Sequence, residues 1–222
     1  MRKSLIRSSA SDSHRYHLEG VYKLPGFFIP MKVAVVGKGG VGKSTLLALI
    51  HRVFACEIYD SGPAFDLEEL CPQAKRYKSA ATVIEPALVE FCYATLRKLR
   101  NAPDFKVLVV TTPHVHALTA TKKMVNTLKE DFANELLGVV VNQSTRELSE
   151  KISARLGVKL VGSLPLVPEL DDHLIGDTLA TFRIPRELEE AVAEVGRFLR
   201  LRKRAGKEKE KEKKKFLFSF GG

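Results

Sequence analysis

From Met31 onward, short continuous apolar runs alternate with longer segments whose apolar residues recur every third or fourth position. Lys32-Val33-Ala34-Val35-Val36, Lys106-Val107-Leu108-Val109-Val110 and Leu137-Gly138-Val139-Val140-Val141 are runs of the first kind. Apolar character without alternation predicts strands covered on both faces. Shorter strands are predicted at Glu57-Ile58-Tyr59, ending on Asp60, and at Lys159-Leu160-Val161-Gly162. Helical spacing predicts helices over about 43–54, from Pro86 (suited to a first turn) to about Arg100, over 115–131, over about 145–155, and from near Pro185 past Arg200. Residues 61–81 read as irregular, and the proline-bracketed stretch 163–169 as a loop. Strand–helix alternation of this kind predicts a single α/β domain, a mostly parallel sheet flanked by helices on both faces.

The region before Met31 lacks this pattern. Residues 1–30 are polar until Leu24–Pro30, and Met31 stands one residue before the first strand. Residues 1–30 therefore read either as an extension ahead of the true start or as a flexible arm, residues 31–201 as the domain, and 202–222 as a charged tail.

Between the first strand and the first helix lies Gly37-Lys38-Gly39-Gly40-Val41-Gly42-Lys43-Ser44-Thr45. Strand, glycine-rich turn and helix in that order form a phosphate cradle. The glycines let backbone amides curl around a polyphosphate, and the helix adds its positive N-terminal end. Lys43 is placed to reach the β- and γ-phosphates, and the Ser44 hydroxyl to ligate Mg²⁺. Gly39, Gly40, Val41, Gly42 and Thr45 supply the rest of the cradle. Asn142, at the end of a predicted strand, offers a donor and an acceptor to a purine edge, or else simply forms a turn.

The net charge of +10 is uneven. Residues 1–32 hold six Lys/Arg against two acids, residues 202–222 hold nine against three, and 33–201 carry 21 of each sign. An anionic partner would therefore meet the tails. Residues 207–222 join an alternating Lys/Glu run to the tip Phe216-Leu217-Phe218-Ser219-Phe220-Gly221-Gly222. Over 207–220 that layout fits an anionic membrane surface, each cation gaining about 1 kcal/mol near anionic lipid, or a solvated solubilising tail. Nucleic acid is a further expected class of partner for basic tails. No apolar run approaches the roughly 18–20 residues of a membrane span. Cys56, Cys71 and Cys92 are odd in number and widely spaced, so a cytoplasmic location is expected and Cys56 and Cys92 read as core residues. His114-x-His116 is a candidate metal pair, read in the first instance as surface residues at a helix start.

With Lys38 near its start, the loop is the deviant P-loop Lys-Gly-Gly-Val-Gly-Lys-Ser-Thr, and the chain resembles the MinD/ParA family of ATPases, which includes CooC-type and Mrp-like members. Val109-Val110-Thr111-Thr112-Pro113-His114-Val115-His116-Ala117-Leu118, Gly138-Val139-Val140-Val141-Asn142 and Gly162-Ser163-Leu164-Pro165 are similar to three later family motifs. The resemblance implies Mg-ATP as cofactor, Ser44 and Asp60 at the metal, Asn142 and Pro165 at the base, and a nucleotide-dependent homodimer in which Lys38 acts on the partner's phosphates. It also implies ATP hydrolysis and docking of a partner protein or a membrane, with a location in the cytoplasm or peripheral at the membrane.

Three departures from the family pattern bear on hydrolysis. Asp60-Ser61-Gly62-Pro63 stands where relatives have Asp-x-Asp-Pro, so the water-positioning aspartate is Gly62, and Asp66 is the nearby substitute. No Walker B strand ending in Asp-x-Pro is evident between that loop and Thr111-Thr112-Pro113. The span from Lys43 to Asp60 is shorter than usual. Nucleotide binding is therefore expected, and turnover is expected to be weak or slow. The guanine-reading Asn-Lys-x-Asp is absent, which favours ATP over GTP. The rival expectation is a nucleotide-binding scaffold without hydrolysis.

Overall fold

The computed structural model describes residues 31–63, 66–132, 134–176, 179 and 181–204. The segment 1–30 and the tail from 205, with its apolar tip, lie outside the described residues. Seven parallel strands form one sheet. They are β1 (Lys32–Gly37), β2 (Glu57–Asp60), β3 (Lys75–Arg76), β4 (Ala87–Cys92), β5 (Lys106–Thr111), β6 (Glu135–Val141) and β7 (Leu160–Ser163), in the order β3-β2-β4-β1-β5-β6-β7. The helices are α1 (Lys43–Val53), α2 (Asp66–Leu70), α3 (Val115–Asp131), α4 (Arg146–Leu156), α5 (Pro168–Gly176) and α6 (Arg186–Phe198).

Alternate strand residues feed two cores. Val33 and Val35 of β1, Leu88 of β4 and Leu108 and Val110 of β5 pack with Leu46, Leu47, Leu49 and Ile50 of α1 and with Val192 and Val195 of α6. Ala34, Val36, Val89, Phe91, Val107 and Val109 face the other way, against Leu96, Leu99, Met124, Val125 and Leu128. Both faces are thus sealed, and each fully buried Leu or Val stabilises the fold by about 1.5–3 kcal/mol.

The segment 86–100 corrects the helical expectation. Ala87–Cys92 is a strand inserted between β1 and β2, and a 3₁₀ segment, Tyr93–Asn101, follows. Leu88, Val89 and Phe91 are fully buried on two opposite faces, which a strand achieves and an amphipathic helix does not. The stretch 61–81 is not wholly irregular, since it holds α2 and β3. The proline-bracketed loop gives way at Pro168 to α5, with the proline at the helix start. Elsewhere α3 spans Val115–Asp131 as its spacing predicts, and α6 ends two residues before Arg200.

This order places β1 at the centre, with the chain passing from β4 on one side to β5 on the other. Ligands of open α/β sheets bind at such a crossover, at the carboxyl edge of the strands.

Candidate functional site

The loop between β1 and α1 opens onto that edge. Gly42 precedes α1 with φ 85°, a left-handed conformation, and no side chain caps the helix. The first intrahelical bond runs from the Leu46 amide to the Gly42 carbonyl, leaving the amides of Lys43, Ser44 and Thr45 for a ligand. A Cβ on Gly42 would lie 2.3 Å from Asn142 Nδ2, so glycine is required here by contact as well as by φ. Gly39 and Gly40 are exposed, as is Lys38.

Lys43 is 5% exposed, and its ammonium lies 3.4 Å from Glu90 Oε1 and 3.3 Å from the Lys38 carbonyl. Glu90 belongs to β4, where period two puts Leu88, Glu90 and Cys92 on the face turned toward α1. Its other oxygen, Oε2, is buried and has no hydrogen-bond partner. Burial pushes the Glu90 carboxyl above the usual carboxylate range, against the pull of the Lys43 ammonium and the Ser44 hydroxyl, while Asp60 adds to the rise. A buried carboxylate oxygen without a donor is costly unless a ligand supplies one.

β4 lies in sequence between the Asp60 loop and Thr111-Thr112-Pro113, though it does not end in Asp-x-Pro. It lies beside β1 and carries Glu90, an acid, two residues before its end. The signal available in the sequence was a lone charge inside the apolar run Ala87-Leu88-Val89-Glu90-Phe91.

Asp60 is buried at the end of β2, and each of its oxygens accepts one backbone amide. Oδ1 accepts from the Gly62 amide at 2.6 Å and Oδ2 from the Leu67 amide at 3.3 Å. The loop it holds is tied further by Lys98, which donates to the Ser61 carbonyl at 3.1 Å, and by Arg76, which donates to the Gly62 carbonyl at 2.6 Å. Asp66 opens α2; its side chain lies outside the described residues.

The far side of the site comes from the ends of β6 and β7. Asn142 Nδ2 donates to the Val41 carbonyl at 3.1 Å, and Asn142 Oδ1 accepts from the Gln143 amide at 3.0 Å. Ser144 and Leu164 bridge the two loops through a backbone bond of 2.9 Å. Between the P-loop and these loops lies a cleft of about 370 Å³ whose lining includes Lys43, Ser44, Glu90, Asn142 and Pro165. Its apolar lining comes from leucines of α1, α2, α5 and α6 and from the 164–167 loop. The lining thus joins polar groups of the P-loop and β4 to apolar side chains, a mix suited to a polyphosphate joined to a flat aromatic base.

Among the described residues, His114 and His116 join no group of three or more potential metal ligands. Both are exposed, at the start of α3. Cys56 and Cys71 are buried, Cys92 is half-buried in the cleft wall, and none of the three is in a disulfide. No described helix is long and apolar enough to cross a membrane.

Neither a family model nor any curated protein sequence matches the chain. Solved structures do. MinD cell division protein of Aquifex aeolicus aligns at 16% identity and TM-score 0.54, covering 77% of this chain and 96% of that one. A ParA family ATPase of Chlorobium tepidum aligns at 15% and 0.57, covering 74% and 96%. The ATP complex of a Cyanothece McdA variant aligns at 13% and 0.57, covering 79% and 98%. At these identities the likeness establishes the fold: the P-loop architecture of MinD/ParA ATPases.

Proposed function

We propose that this protein binds Mg-ATP as a MinD/ParA-like switch, with slow hydrolysis and nucleotide-dependent dimerisation. The observation that carries the reading is the cradle itself. Three free amides at the head of α1, with Lys43 and Ser44, face a cleft that continues to the loops after β6 and β7. The structural neighbours add weight, one of them being an ATP complex. In this reading the amides and Lys43 hold the phosphates, and the 142–143 and 164–167 loops receive the base. Lys38, exposed and bound to Lys43 through its backbone carbonyl, would reach across a dimer with its side chain.

The residues present suit Mg²⁺. Ser44 and Glu90 would hold it, the orphaned Glu90 Oε2 accepting from a metal-bound water. The ion supplies charge neutralisation on the phosphates. Asp60 accepts the Gly62 and Leu67 amides, and the lone pair left on each oxygen would let it join Ser44 and Glu90 at the ion.

Calorimetry with Mg-ADP and Mg-ATP tests the proposal. Binding by the wild type, lost in Lys43→Ala, is expected; a wild type that binds neither nucleotide ends the idea. Phosphate release separates switch from scaffold, and Glu90→Gln should reduce it by about a hundredfold or more. The scaffold reading rests on Gly62 standing in place of a carboxylate, and a wild type with no release above background would favour it. Dimerisation with Mg-ATP, read by sedimentation, should disappear in Lys38→Ala. Residues 207–220 would bring the dimer to an anionic membrane, giving a cytoplasmic protein peripheral at the membrane; DNA is the competing surface, and a protein partner is to be sought by capture on the ATP-bound form.

A further inference from the structure

We infer that Cys92 is a thiol switch on the nucleotide cleft: a mixed disulfide with a low-molecular-weight thiol on its Sγ shuts the cleft to nucleotide, and bound nucleotide shields the thiol. The inference rests on the nucleotide-site reading above and deepens it.

The three cysteines differ in what they face. Cys56 and Cys71 are each 5% exposed and belong to the core around α1. Cys92 ends β4, is half-buried, and lines the cleft together with Lys43, Ser44 and Glu90. Strand period puts it there, since two residues after Glu90 it turns to the same side of the sheet. Glu90 is an independent sign that this wall is built for a ligand. It is 7% exposed, it lines the same cleft, and its Oε2 has no hydrogen-bond partner. A group carried on Cys92 Sγ therefore enters the space that a ligand of Glu90 and the cradle needs.

The thiol also belongs to a chain of polar contacts. Thr95 Oγ1, on the 3₁₀ segment after β4, donates to the Cys92 carbonyl at 3.1 Å. The same oxygen lies 3.4 Å from Cys92 Sγ and 3.0 Å from Ser61 Oγ. Ser61 follows Asp60; its amide donates to the Glu90 carbonyl at 3.1 Å, and its own carbonyl accepts from Lys98 at 3.1 Å. Cys92, Thr95 and Ser61 thus connect the cleft wall to the loop after β2. A disulfide on Sγ removes the S–H donor from that chain while it fills the cleft.

The exchange needs only a small disulfide, such as glutathione disulfide. The Cys92 sulfur gives its proton to solvent and attacks one sulfur of the reagent. The new S–S bond forms as the reagent's own breaks, and the other half leaves as a thiolate with the bonding electron pair. Cys92 is oxidised, the departing half is reduced, and added thiol reverses the step. The tripeptide left on Cys92 brings carboxylates of its own beside the cradle, so bulk and like charge both oppose a polyphosphate.

The test incubates the full chain with glutathione disulfide, maps adducts by mass spectrometry, and measures Mg-ADP binding by calorimetry. The native wild type should gain one glutathionyl group, on Cys92. Its Mg-ADP affinity should then fall by at least about tenfold and return with dithiothreitol. Mg-ADP at ten times its Kd should slow adduct formation about tenfold, because only the unliganded fraction reacts. In Cys92→Ser, which keeps a donor for Thr95, glutathione disulfide should leave the Mg-ADP affinity where it was. The inference falls if the adduct forms elsewhere or not at all, if the Cys92 adduct binds Mg-ADP as the reduced chain does, or if Mg-ADP gives no protection. It also falls if Cys92→Ser loses affinity with the reagent, or if the adduct no longer melts cooperatively, since lost binding would then report unfolding. A reduced wild type that binds no Mg-ADP overturns the nucleotide-site reading and this inference together. A reduced wild type that binds, with an adduct that binds equally well, overturns this inference alone.

Discussion

Buried polar groups act here through what surrounds them. Cys56, at the turn between α1 and β2, is a thiol that burial pushes up to about 12 from an ordinary 9.0, with the Arg204 charge opposing the rise. A group whose native value is raised contributes stability that is fully present below its unfolded value and is lost as pH rises through the native one. The window runs from about 9 to about 12, at about 1.4 kcal/mol for each unit of the gap. Cys56→Ala should therefore flatten the alkaline fall in stability seen by urea titration; an unchanged fall would place the cause elsewhere. At pH 8 a thiol reagent should modify half-buried Cys92 first and reach Cys56 only on unfolding. Glu90 shows the limit of a sequence reading at this scale. Its role depends on a neighbour forty-seven positions earlier, Lys43, which no local pattern connects to it. The P-loop, by contrast, was legible because its chemistry is contained in nine consecutive residues.

The same division holds among elements. The strands β1, β5 and β6 and the helices α1 and α3 were readable because each is a long run of a single period. β4 was not, since five apolar residues and one acid behind a proline fit a buried strand or a helical segment equally well, and only burial on both faces decides. Helices α2 and α5 are short, nine residues at most, and owe their form to packing at the cleft rather than to periodicity. Packing between α1 and α6 is set by one contact the pattern does not reveal. A Cβ on Gly196 of α6 would lie 2.1 Å from the ring of Phe54, which is fully buried at the end of α1. Glycine lets the two helices approach, and its lower helix propensity is offset by that burial. Gly196→Ala should cost about 1–3 kcal/mol in chemical denaturation despite improving helix propensity. A neutral or stabilising result would mean that α6 can slide to make room.

At the scale of the whole molecule, a body with balanced charge carries basic extensions, and the described chain shows where one of them is rooted. After α6, Leu201 is buried, and residues 202–204 run back along the end of α1. The Ala55 amide donates to the Arg202 carbonyl at 2.8 Å and the Arg204 amide to the Val53 carbonyl at 3.0 Å. Arg204 Nε donates to the carbonyls of His51 and Phe54 at 2.7 and 2.9 Å. These bonds satisfy carbonyls that the last turn of a helix leaves open, so Arg204 closes the very helix whose other end forms the cradle. The described chain thus stays packed on the body as far as Arg204, three residues beyond the change in composition. A chain ending at Arg204 should melt like the full chain and bind Mg-ADP equally well. One ending at Arg200 loses Leu201 and the carbonyl bonds, and should be less stable by about 2–4 kcal/mol. Liposome co-sedimentation, if it depends on residues 207–220, should vanish in both. Retention of membrane binding by the chain ending at Arg204 would move the anchoring surface onto the body, and equal melting of the two truncated chains would show that the Arg204 bonds do not hold α1.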